Sequence, residues 1–171
     1  MGGMPKLKPA LLFALLSLAA TPAIASADIG DPVLDAEEKA FCTQINEYRV
    51  SNGRAPLRVS VSLENASKWM STDMATKNRF SHTDSLGRSF STRLGAFGYT
   101  FSTWKGENIA AGYSSAASTF AQWRASTGHN NKMLNPNYTV IGIGRAYIPS
   151  ATYRYYWTTD FGGHADRTIP C

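Results

Sequence analysis

Val140-Ile141-Gly142-Ile143-Gly144-Arg145-Ala146-Tyr147 and Tyr153-Arg154-Tyr155-Tyr156-Trp157-Thr158-Thr159-Asp160-Phe161 decide the architecture of this chain. Both runs are rich in β-branched and aromatic residues, and Pro149-Ser150-Ala151 makes a short connection between them, so the pair predicts an antiparallel hairpin. In the second run Tyr153, Tyr155, Trp157 and Phe161 fall on one face, and Arg154, Tyr156, Thr158 and Asp160 on the other. Gly142 and Gly144 also share a face. Two missing side chains there leave room for something bulky to approach the backbone.

Upstream, helical periodicity takes over. Leu34, Phe41, Ile45 and Tyr48 recur at spacings of 7, 4 and 3, which predicts a helix over 34–51 ended by Asn52-Gly53. Pro56 and Leu57 lead into a short segment. Leu63, Ala66, Met70 and Met74 line one stripe of a second helix over about 62–77. A short helix is expected over 89–97, a strand at 106–110, and a helix over 114–126 burying Ala117, Phe120 and Trp123 and stopped by Thr127-Gly128. Helices flanking an antiparallel hairpin make an α+β sandwich.

A chain of 171 residues suits one domain, and no repeat, low-complexity tract or Pro/Gly-rich linker divides it. With 43% hydrophobic and 17% charged residues the composition is globular, which excludes fibrous and disordered classes. Residues 1–27 read as an export signal: Lys6 and Lys8 give a positive start, an 11-residue apolar run follows, and Ala25-Ser26-Ala27 offers a cleavage site. That run is too short to span a bilayer, so no stable membrane span is expected after cleavage and the product is secreted. Residues 28–35 then form an N-terminal segment, 36–162 the domain and 163–171 a tail. The remainder carries 15 Lys and Arg against 12 Asp and Glu, about +3, scattered rather than striped, so no nucleic-acid partner is indicated.

Cys42 and Cys171 are the only cysteines. Export to an oxidising compartment favours one bridge between them, tying the tail back to the first helix; two unpaired thiols are the alternative. Without a CxxC they make neither a zinc ribbon nor a thioredoxin-type centre.

Of the three histidines, His164 sits in a polar tail and is expected to be solvated. His82 and His129 lie in polar stretches beside helix ends, and Glu107 lies between Gly106 and Asn108 at the edge of an apolar strand, where a charge needs a partner. Two imidazoles and a carboxylate have the chemistry to hold zinc or another divalent cation with one position open. The spacings, 25 and 22 residues, are no metal signature, and from spacing alone all three serve local structure: a loop, backbone N–H groups and a helix end. No GxSxG elbow supports a serine nucleophile.

Phe80-Ser81-His82-Thr83-Asp84, Gly106-Glu107-Asn108-Ile109-Ala110, Trp123-Arg124-Ala125-Ser126-Thr127-Gly128-His129, Ile141-Gly142-Ile143-Gly144 and Tyr156-Trp157-Thr158-Thr159-Asp160-Phe161-Gly162 occur in the order seen in the CAP superfamily. The chain resembles its short bacterial secreted members over about residues 36–162. The resemblance implies an α–β–α sandwich, a central antiparallel sheet flanked by helices, with an open cleft lined by His82, Glu107 and His129. A second cleft Glu of many relatives is absent here, since Arg124-Ala125-Ser126 follow Trp123.

Three functions follow as expectations. The first is an extracellular binding module whose cleft holds a divalent metal through His82 and His129, or a small or lipid ligand, with a cell-surface component as a possible partner class. The second is a protein-interaction factor with a vestigial cleft. The third is a metal-assisted hydrolase of peptide or cell-wall material with Glu107 as base.

Overall fold

The structure, a computed structural model, describes residues 1–3 and 32–171; the apolar run and cleavage site of the expected export signal lie outside the described residues. The first helix, α1 (Ala36–Ser51), opens on a capping box: Asp35 accepts from the Glu38 N–H and the Glu38 carboxylate accepts from the Asp35 N–H. A short strand, β1 (Arg58–Ser60), leads directly into α2 (Val61–Thr76), with Ser60 as its cap. Then come α3 (Phe90–Ala96), β2 (Lys105–Ala111), α4 (Ala116–Ala125), α5 (Thr127–Met133), β3 (Val140–Tyr147), β4 (Tyr155–Gly162) and β5 (Thr168–Ile169).

The strands form one sheet in the order β2-β4-β3-β1-β5. The β3–β4 hairpin at its centre is antiparallel, as its alternation predicts, with Gly142 opposite Asp160 and Arg145 opposite Trp157. The sheet is mixed rather than wholly antiparallel, because β1 runs parallel to β3. The short β5 pairs with β1, and brings the tail to the same sheet edge as Cys171, which is bonded to Cys42 of α1 across 129 residues of sequence.

One face of the sheet packs on α1, α4 and α5, where Phe41, Ile45, Trp123, Ile143, Trp157 and Phe161 interdigitate. The other face packs on α2, where Met70 and Met74 meet Ile109 and Tyr156. Both faces of β4 are therefore buried, including Thr158 and Asp160 on the side that the alternation marked as polar. The space left by Gly142 and Gly144 is filled by the backbone of α2: a Cβ at Gly142 would overlap Leu63 and Glu64, and one at Gly144 would overlap Ser67 and Lys68.

Three local expectations are corrected. Thr127-Gly128 does not end helical structure; it opens α5, which carries His129. Ala117 is exposed, and Ala116 and Thr119 fill the buried stripe of α4 instead. Tyr153 leaves the Trp157 face, because Arg154 takes a left-handed φ of 65° and turns the chain before β4 begins.

Candidate functional site

At the β2 edge of the sheet the two helical layers part and leave a cleft. From the α2 side the loop after α2 brings Phe80, Ser81 and His82. From the opposite side α4 and α5 bring His129. Both imidazoles line one cavity of about 400 Å³, whose walls also hold Ile109 of β2 and the aromatic rings of Phe80, Tyr113 and Tyr153. His82 and Glu107 line a second cavity of about 350 Å³, next to the first, with Lys105, Lys132 and Tyr138.

Glu107 projects from β2 toward the α2 layer and is buried. Its Oε1 lies 2.7 Å from His82 Nδ1, and its Oε2 pairs with the buried Arg93 guanidinium of α3. The expectation that backbone N–H groups satisfy this carboxylate is replaced by two side-chain partners. Both carboxylate oxygens thus have a partner, His82 on Oε1 and Arg93 on Oε2. The pairing leaves Nε2 of His82 as the ring's other polar atom, on a side chain that is 56% exposed.

Two residues of this network carry no signal in the sequence. Arg93 reaches Glu107 from a helix whose sequence, Phe90–Ala96, marks only a short amphipathic turn. Asp160 lies directly across from Glu107 on β4. It accepts a hydrogen bond from Ser67 Oγ at 2.8 Å. Its complete burial, next to the Glu107 charge, pushes its carboxyl pKa well above the ordinary carboxylate range, with Arg93 offsetting part of the effect. One guanidinium, that of Arg93, thus serves a closed space that holds two acids. The alternation of β4 marks Asp160 as polar and outward; only the covering helix makes it buried.

His129 is held differently. Its ring lies 5.9 Å from that of Trp123, and its carbonyl accepts from Asn108 Nδ2. Its Nδ1 is buried with no hydrogen-bond partner among the described residues. Desolvation, with Lys132 and His82 nearby, lowers its pKa and so favours the neutral ring. His164, expected to be solvated, is exposed but stacks on Phe101 at 3.9 Å and stands apart from the cleft.

No group of three His, Cys, Asp or Glu side chains able to hold a metal ion is found among the described residues. The protein supplies at most two imidazoles at this cavity, short of the three protein ligands of a catalytic zinc. No helix among the described residues is long and apolar enough to cross a membrane.

Residues 43–161 match the pattern of the CAP, or cysteine-rich secretory protein, family. The Bacillus subtilis (strain 168) protein YkwD is 34% identical over 130 residues, which cover 76% of this chain and 48% of YkwD. Among solved structures, an extracellular SCP-domain protein from Bacillus anthracis superposes with a TM-score of 0.63 at 25% identity, over 78% of this chain and 45% of that one. An outer surface protein from Borrelia burgdorferi superposes with a TM-score of 0.68 at 19% identity, over 78% of this chain and 96% of that one. This chain thus spans about half the length of YkwD. The matched pattern runs from within α1 to near the end of β4 and includes His82, Arg93, Glu107, His129 and Asp160, and the chain belongs to the cysteine-rich secretory protein (CAP) family.

Proposed function

We propose that this protein is an exported binding domain whose cleft takes a small ligand or a divalent cation through His82 and His129. One observation carries the reading: two imidazoles from opposite layers of the sandwich line a single cavity, and one of them is held in orientation by a buried carboxylate. That is the form of a prepared polar handle in an otherwise apolar wall.

Zinc, if held here, rests on His82 and His129 alone, with its remaining positions left to water or a ligand. A two-imidazole set predicts modest, pH-dependent affinity, because both rings must be neutral to coordinate. Zinc titration of the wild-type protein and of the His82→Ala/His129→Ala double variant tests this. Saturable binding in the wild type that vanishes in the double variant supports the site. Equal binding in both places the cation elsewhere.

The His82–Glu107 pair favours a second reading, hydrolysis, with the imidazole rather than the carboxylate taking the proton from water. Turnover of peptide or cell-wall substrates that is lost in His82→Ala and in Glu107→Gln, with the fold intact, would put this reading first.

A further inference from the structure

The register of the sheet exposes a feature of β2 that the cleft histidines bracket. In the β2–β4 ladder Gly106 stands opposite Phe161, Asn108 opposite Thr159 and Ala110 opposite Trp157, and the Gly112 N–H donates to the Tyr155 carbonyl at 2.9 Å. The even-numbered residues of β2 therefore turn their backbone groups toward β4. Lys105, Glu107, Ile109 and Ala111 turn theirs away from it, along the sheet's free edge.

Elsewhere the fold covers such groups. Beyond the end of β1, the Ile143 N–H of β3 donates to the Glu64 carboxylate at 2.7 Å, and the Arg145 N–H donates to Glu38 at 3.0 Å. On β2 the Ile109 carbonyl accepts from Trp123 Nε1. Among the described residues no hydrogen bond is found to the Ile109 N–H or to the N–H and C=O of Ala111. This uncovered stretch, Ile109 to Ala111, forms one wall of the cavity with the histidines. It carries no Pro or outward bulge of the kind that protects free edges.

The two ends of this edge differ in character. At the Ala111 end the rings of Phe80 and Tyr153, both 48% exposed, meet edge-on at 6.3 Å over the cavity. At the Lys105 end the adjoining cavity holds Lys105 and Lys132, neither ion-paired among the described residues, while the one acid there, Glu107, is already paired with Arg93. With Glu107 paired to Arg93, the two lysines leave that end positively charged.

We infer that the cleft binds an extended peptide as an added antiparallel strand on β2, its C-terminal carboxylate at Lys105 and Lys132 and an aromatic side chain against the exposed faces of Phe80 and Tyr153. This rests on the cleft being a binding site, and names the class of its ligand. The seven residues of β2 span roughly 20 Å, enough for a peptide of about six residues. Main-chain pairing supplies affinity, and the two end pockets set direction and side-chain preference.

The test uses the peptide Phe-Thr-Val-Thr-Val-Asp with a free C-terminus as probe, measured by calorimetry on the whole protein. Three changes are each expected to weaken binding about tenfold or more: N-methylation of alternate peptide residues, Lys105→Ala/Lys132→Ala, and Ala111→Pro. Ala111→Pro removes only an outward N–H, so the ladder to β4 and thermal unfolding are expected to be kept. Undiminished binding of the N-methylated peptide would show that side chains alone are held and would overturn the strand-addition proposal. So would absence of peptide binding alongside binding of an N-acetylglucosamine oligomer. Zinc titration in parallel separates the two readings. No peptide binding with zinc retained at His82 and His129 removes this inference only; loss of both removes the cleft as a binding site.

Discussion

At the scale of single residues, the cleft is decided by charges that cannot be left alone. Glu107 is buried and bound on one side by Arg93 and on the other by His82. Removing the guanidinium by Arg93→Ala leaves a buried carboxylate beside a second acid, and is expected to cost about 3–5 kcal/mol in denaturant unfolding. Asp160→Asn is the contrasting change. Burial raises the Asp160 carboxyl pKa, so a neutral amide that keeps the Ser67 contact should leave stability at pH 7 within about 1 kcal/mol of wild type. A much larger change in the same measurement would mean that Asp160 is ionised.

Glu64 makes a pH prediction of definite sign. It lies on the buried face of α2, accepts from the Ile143 N–H of β3, and has its pKa raised to about 7, chiefly by desolvation. A raised pKa in the folded state means that stability is fully present below the unfolded value near 4.5 and is lost as pH rises through about 7. Wild-type melting temperature should therefore fall between pH 5 and pH 8, all else equal, by the equivalent of about 3 kcal/mol at most. Glu64→Gln should remove that part of the slope.

At the scale of elements, the contact between α2 and the β3–β4 hairpin is made by absence. Gly142 and Gly144 let the helix backbone lie against the strand, and the close approach is what seals Asp160, Ser67 and Ser71 from water. A methyl group at either position meets backbone, which cannot swing aside as a side chain can. Gly142→Ala is expected to destabilise by about 3 kcal/mol or more, or to prevent folding, as read from thermal unfolding. The hairpin and α2 are individually legible in the sequence: alternation in the one, a Leu63–Met74 stripe in the other. Their contact is foreshadowed by the glycine pair, though not the identity of the partner. α5 is not legible, because Gly128 reads as a terminator, whereas here a glycine at the second position of a short helix is tolerated.

At the scale of the whole molecule, Cys42 and Cys171 close a loop of nearly the entire domain, and the tail adds β5 beside β1 on the way. Cross-linking over 129 residues removes much of the unfolded chain's freedom. In the chain-entropy account Cys171→Ser costs about 4–5 kcal/mol, which equilibrium unfolding with and without reductant would show. A difference under about 1 kcal/mol would mean that the denatured chain is already compact.

The sequence by itself determined most of the local elements, the α+β layering and the three polar residues worth following, and it favoured a bridge between the two cysteines. Each of these is written in short-range periodicity, in compartment chemistry or in residue type. Only the tertiary structure decided that His82 and His129 share a cavity, that Glu107 is consumed by Arg93 and His82, and that Asp160 is buried. Those facts depend on which helix covers which face of the sheet and where the sheet stops. Periodicity shows that a face is apolar; it carries no record of what will be packed against it.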